Sequence, residues 1–247
     1  IPEPPPPEPP PPPPPPPAVQ RRCAAGMPCG FARVDLTDSE SETSSSYVAA
    51  FALDMNEVDP EDEGTSNVAF GVGAGTLLNP DTTGEIDSDT ENATYSETGV
   101  RVLDNNADSY LRGRITRDGG EKVLVNGLWE HDGVGGEYVW GVAATGVQLA
   151  ALKDQLLEIQ GNLTAIYSGA IANGGSVVMQ VNFNDATWSG QFNGNVGFSA
   201  TGDVIGSGFV SDAAGFSDNI AEGVVKGGFV NAGRNAIGGY EVADVEG

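Results

Sequence analysis

Ser176-Val177-Val178-Met179-Gln180-Val181-Asn182-Phe183-Asn184-Asp185-Ala186-Thr187-Trp188-Ser189-Gly190-Gln191-Phe192-Asn193 is the stretch that sets the fold. β-Branched and aromatic residues run up to a break of Asn and Asp and resume after it. The segment therefore reads as two strands, 175–184 and 186–193. The same texture fills residues 161–247. Strands are predicted at 163–172, 175–184, 186–193, 195–200, 203–211, 220–230 and 235–243, separated by Gly, Asn and Asp. Short strands at such even spacing predict an up-and-down or meander barrel. Closing the sheet would remove its exposed edges.

Upstream, residues 147–159 form the one convincing helix. Val147, Leu149, Leu152, Leu156 and Ile159 make an apolar stripe at near-helical spacing. The stripe reads as core packing, plugging a sheet or barrel end, and Gln160-Gly161 ends the helix. Residues 31–146 are strand-forming and acidic. From Asp35 to Glu63 there are ten carboxylates and no basic residue, and Asp81 to Glu97 is a second basic-free run. Tyr47 to Leu53 reads as a first strand. Further strands are predicted at 67–72, 100–104, 109–116, 122–130 and 137–143, with the alternation of sheets that keep one wet face. The class is all-β: a proline tail, a β-sheet domain, and an antiparallel β-barrel with one short helix. Its divisions are 1–17, a disulfide-closed linker at 18–30, an acidic β domain at 31–146, and helix plus barrel at 147–247.

The tail holds fourteen of the 17 prolines. Proline fixes φ and removes the amide donor, so neither helix nor ladder forms. A polyproline II rod of about 3.1 Å per residue, roughly 50 Å long, is predicted. One use is a stiff spacer. The other is docking on a neighbouring subunit through Pro4, Pro5, Pro6, Pro7, Pro9, Pro10, Pro11, Pro12, Pro13, Pro14, Pro15, Pro16 and Pro17, since every carbonyl is free to accept and the rod loses little entropy on ordering. The receiving groove is expected among aromatic residues of the N-terminal half.

Cys23 and Cys29 are separated by Gly and Pro that favour a reversal. A local disulfide is expected, with two free thiols as the alternative. It implies an oxidising compartment. A loop this short removes little chain entropy, so the bridge is expected to shape a turn more than to stabilise the fold. A thiolate metal site lacks partners, because His131 is the only histidine.

The charge is lopsided: 35 acidic residues against 11 basic ones give −24. Such a chain repels nucleic acid and anionic membrane surfaces. No stretch approaches the roughly 18 apolar residues of a membrane-spanning helix. The chain opens at Ile1 rather than Met, which suggests a processed, secreted product.

Ordered pieces of the C-terminal part resemble the eight-stranded barrel of transferrin-binding-protein-B-like bacterial surface proteins. They are Thr164-Ala165-Ile166-Tyr167-Ser168-Gly169, Val177 to Phe183, Thr187-Trp188-Ser189-Gly190, Gly206-Ser207-Gly208-Phe209, Val225-Lys226-Gly227-Gly228-Phe229 and Ile237-Gly238-Gly239-Tyr240. The preceding helix and Val139-Trp140-Gly141 fit as well, so the likeness covers residues 138–247. It departs at Val230 to Gly239, where the family has a Gly-Pro turn and a Glu before Gly-Gly. It also departs at the start: Cys23 lies far inside, where family lipoproteins open on a lipidated Cys. The resemblance implies a cell-surface or secreted protein that binds a protein or haem-type ligand. The family's particular ligands do not transfer to any residue identified in this chain.

Catalytic constellations are sparse. His131 sits in Glu130-His131-Asp132-Gly133, a predicted hairpin turn, and reads as a turn residue rather than the base of a triad. Gly71-Val72-Gly73-Ala74-Gly75 lacks the helix and Lys of a phosphate loop. Acids are too abundant for any pair to mark a glycosidase. Calcium is the most credible ion, at Asp104-Asn105-Asn106-Ala107-Asp108 or Asp59 to Glu63. Neither run has EF-hand spacing, so solvated acidic loops are preferred and no cofactor is expected. Asn92-Ala93-Thr94 and Asn162-Leu163-Thr164 are glycosylation sequons. The expectation is therefore a non-enzymatic extracellular protein. A self-assembling subunit of a filament or surface layer, joined through the tail, comes first. A surface binding protein with the tail as spacer comes second.

Overall fold

A computed structural model describes residues 23–38, 43–51, 93–95, 100–103, 109–131, 134–172 and 174–245. The chain is all-β, with two antiparallel sheets and one helix among these residues. The first sheet contains β1 (Pro28–Asp38), β2 (Thr43–Phe51), β3 (Ala93–Tyr95), β4 (Val100–Leu103), β5 (Ser109–Asp118), β6 (Glu121–His131) and β7 (Val134–Val142), in the order β2-β1-β7-β6-β5-β4-β3. Helix α1 (Gly146–Gln160) follows. The second sheet is a sequential meander of β8 (Thr164–Ala170), β9 (Ser176–Asn182), β10 (Thr187–Asn193), β11 (Gly197–Ile205), β12 (Gly208–Phe216), β13 (Ile220–Val230) and β14 (Asn235–Asp244).

The second sheet curls because one face of each strand is apolar. In β10, Trp188, Gly190 and Phe192 alternate with exposed Thr187, Ser189, Gln191 and Asn193. The rings meet across the curl. Phe192 and Phe198 stack at 4.5 Å, and Tyr240 of β14 lies 5.2 Å from Phe198. Phe229, fully buried, touches Tyr167, Phe183 and Phe209 at 5.4–5.6 Å. The sheet has seven strands where the resemblance implies eight, and its end strands β8 and β14 are not paired with each other among the described residues. It is a curled half-barrel whose inner face is filled by side chains.

Helix α1 starts at a capping box: the Thr145 amide donates to Gln148 Oε1 at 2.8 Å, and the Gln148 amide donates to Thr145 Oγ1. It ends at Gly161, whose φ of 70° suits glycine. The buried stripe is narrower than predicted. Leu149 and Leu156 are buried and Leu152 is half-buried, whereas Val147 and Ile159 are 81% and 79% exposed. The stripe packs over the β13–β14 turn, where a Cβ on Gly233 would lie 2.9 Å from Leu152.

Several predicted boundaries change. β1 is not among the predicted strands: its first three residues lie in the expected linker, and the rest in the acidic domain ahead of the predicted first strand at Tyr47 to Leu53. Pairing on both sides, to β2 and β7, makes it a strand despite Asp35 and Asp38. The break expected between 200 and 203 is absent, and β11 runs through to Ile205. Gly202 is there for another reason. Trp188 Nε1 passes beneath it to donate to the Val210 carbonyl at 3.0 Å, and a Cβ at Gly202 would sit 2.8 Å from that nitrogen. Predicted strand 67–72 lies outside the described residues.

Candidate interaction surface

The two sheets share a core built around the disulfide. Cys23 and Cys29 are bonded, and both are buried with Phe31, Val224, Val230 and Ile237. Strand β13 makes this possible because both of its faces are covered. Val225, Gly227 and Phe229 face the curl, while Val224, Gly228 and Val230 face the junction. Gly228 leaves the room: a Cβ there would lie 3.0 Å from Cys23 Cβ and 3.3 Å from Cys29 Sγ. Buried Ser207 donates to the Cys23 carbonyl at 2.9 Å, and Ala143 bridges to Val230. The bridge therefore does more than shape a turn. Its sulfurs fill the seam between the sheets.

The convex face of the second sheet has an unusual character for this chain. Register aligns its side chains in rows across β8, β9, β10 and β11. One row is Ile166, Gln180, Ser189 and Thr201; the next is Ser168, Val178, Gln191 and Ser199. Seven of these eight are exposed, Ile166 at 72%, and Ser199 is half-buried. None carries charge. Between Glu158 and Asp203 the only charged residue is Asp185, which sits in the β9–β10 turn and accepts from Asn182 and Asn184 side chains. A chain of net charge −24 thus presents here a neutral, hydroxyl- and amide-bearing surface with two aliphatic side chains on it. That run of nearly uncharged sequence is a signal legible without the structure.

At the end of this face lies β8, which pairs only with β9 among the described residues. Tyr167 anchors it from within: its Oη donates to the Gly233 carbonyl at 2.8 Å across the curl. Burial pushes the Tyr167 phenol up to about 12, and burial also raises Tyr240. At the opposite end, β14 packs near β1 and β2, and the Val48 amide donates to Glu241 Oε1 at 2.8 Å.

The structure joins Cys23 to Cys29. The proline tract from Pro4 to Pro17, both acidic runs considered for calcium, the Gly71–Gly75 loop and Asn92 lie outside the described residues. His131 ends β6 opposite Val134, at the base of a hairpin. The sequon residue Asn162 is exposed and its Oδ1 accepts from the Thr164 amide at 2.9 Å. Of the aromatic residues of the N-terminal half, where the groove for the tail is expected, Phe31 is buried, and the side chains of Tyr47, Phe51, Phe70, Tyr95 and Tyr110 lie outside the described residues. Among the described residues no helix is long and apolar enough to cross a membrane.

No protein-family model matches this chain, and no curated protein matches it. Among solved structures it is similar to the isotype 1 transferrin binding protein B from serogroup B Neisseria meningitidis, at 16% identity and a TM-score of 0.37. The match covers 81% of this chain and 37% of that one, so the chain spans little more than a third of its length.

Proposed function

We propose that the chain is a non-catalytic extracellular or cell-surface binding protein that meets a protein partner with the convex face of β8–β11. The observation that supports this reading is the neutrality of that face. Elsewhere carboxylates keep surfaces apart by repulsion. A broad uncharged patch carrying amides, hydroxyls and the exposed aliphatics Ile166 and Val178 is where another macromolecule can approach without that cost. The proline tract would hold the face away from the surface that bears it, as a spacer. Self-assembly through the tail has no support among the described residues.

The test is site-specific photocrosslinking on the cells that make the protein. A photoreactive residue at Ser189, in the middle of the face, should give a discrete protein adduct. The same residue at exposed Glu222 of β13 should not. Adducts of equal yield from both positions, or none from Ser189, would defeat the proposal.

A further inference from the structure

We infer that the outer edge of β8, which pairs with β9 alone among the described residues, is a homodimer seam, in which β8 of one chain pairs antiparallel with β8 of a second copy. The argument starts with the direction of its amides. Phe183 donates to the Leu163 carbonyl at 2.9 Å, and Ile171 donates to the Gly175 carbonyl at 3.2 Å. Both pairs belong to the β8–β9 register, which matches Thr164 with Asn182 and Ala170 with Ser176. Antiparallel ladders alternate bonded and non-bonded pairs. The odd residues Ala165, Tyr167 and Gly169 therefore bond β9. Thr164, Ile166, Ser168 and Ala170 turn their N–H and C=O groups outward. The Thr164 amide confirms the direction, because it is taken by Asn162 Oδ1 from the loop outside the ladder.

Proteins blunt such edges with charge, proline or a bulge. The opposite end of this sheet packs near β1 and β2, with Glu241 binding the Val48 amide. Strand β8, Thr-Ala-Ile-Tyr-Ser-Gly-Ala, has none of these devices, and its register with β9 is unbroken. The occupant follows from charge. Two copies of a −24 chain repel, and that repulsion is least where neither carries charge. The edge and the strands behind it are the neutral part, so a second copy brings a matching neutral surface. A twofold axis at Tyr167 sets Ile166 against Ser168 of the partner subunit and Thr164 against Ala170 of the partner subunit. All four outward-facing residues then fall at bonded positions, Thr164 through its carbonyl alone because Asn162 holds its amide. The pairing would also merge the two neutral faces into one continuous surface.

Sedimentation velocity of the full-length chain, with amide hydrogen exchange read at Ile166 and Ser168, tests this. A seam this small belongs to the weak class, so dimer should grow between about 10 μM and 1 mM. It should strengthen as salt rises, because screening removes the residual repulsion. Exchange at both amides should slow as dimer forms. Ile166→Lys and Ser168→Pro should lower the association constant at least tenfold, while Ser189→Lys, two strands in, should not. Both edge variants keep every bond to β9, so their folding is checked by an unchanged melting curve. A monomer at 1 mM with fast exchange overturns the seam. So does a monomer with slow exchange, which would place another segment or a foreign strand on the edge. A dimer weakened equally by Ser189→Lys also overturns it. None of these results decides whether the face binds a partner protein, which the crosslinking experiment settles separately.

Discussion

Replacing both cysteines, Cys23→Ala with Cys29→Ala, separates two roles of the bridge. The closed loop spans a sequence separation of 6. A chain-entropy estimate for so short a loop is about 2 kcal/mol. If the bridge only shaped a turn, the loss would stop there. In the structure both sulfurs are buried against Gly228 of the second sheet, with Phe31 and Val230 in the same cluster. Removing each buried sulfur should cost about 1 kcal/mol more in lost packing. The double variant should therefore lose about 4 kcal/mol. Reduced wild type, which keeps its sulfur atoms, should lose about 2 kcal/mol. Urea titrations followed by circular dichroism, with and without reductant, give both numbers. Equal losses in the reduced protein and the alanine variant would refute the reasoning, because the sulfurs would then add nothing to the seam.

Phe229→Ala removes the ring on which Tyr167, Phe183 and Phe209 converge, and should cost about 4 kcal/mol in the same titration. Gly202→Ala places a Cβ 2.0 Å from the Val210 carbonyl oxygen, so it should destabilise by about 3 kcal/mol and shift Trp188 fluorescence as the indole loses its acceptor. Tyr167→Phe should cost about 1 kcal/mol for the lost bond to Gly233. Because the folded Tyr167 phenol is raised to about 12, its contribution is intact below about pH 10 and is lost as pH rises through 12. Wild type should therefore weaken over that window, and Tyr167→Phe should weaken less steeply. Melting temperatures from pH 8 to 12 would show this, and identical slopes would contradict it.

The C-terminal meander was legible because its strands are short, alternate cleanly and are punctuated by residues that turn. The expected 220–230 strand coincides with β13, and 235–243 falls one residue short of β14. Where expectation failed, tertiary contacts had overridden local character. Gly202 looked like a break but is a passage for an indole. The acidic run holding Asp35 and Asp38 gave no strand signal, yet they belong to a strand held between two neighbours. The helix stripe was drawn too wide because spacing alone does not say that Val147 and Ile159 overhang the core. The bridge was anticipated from Cys spacing, but its place in the seam depends on Gly228, some two hundred residues away in the chain. The uncharged run behind the neutral face was legible, but the face itself was not. It is a property of four strands in register, and only the pairing brings Ile166, Gln180, Ser189 and Thr201 into one row.

Hydroxyl-radical labelling of Ile166 and Val178, compared between the purified chain and the same chain in place on the cells that make it, probes the contact face itself. A partner seated on β8–β11 should shield both side chains in the native setting while exposed Val147 on the helix labels alike in both. Equal labelling of Ile166 and Val178 in the two settings would mean that nothing covers this surface, and the binding account would fall.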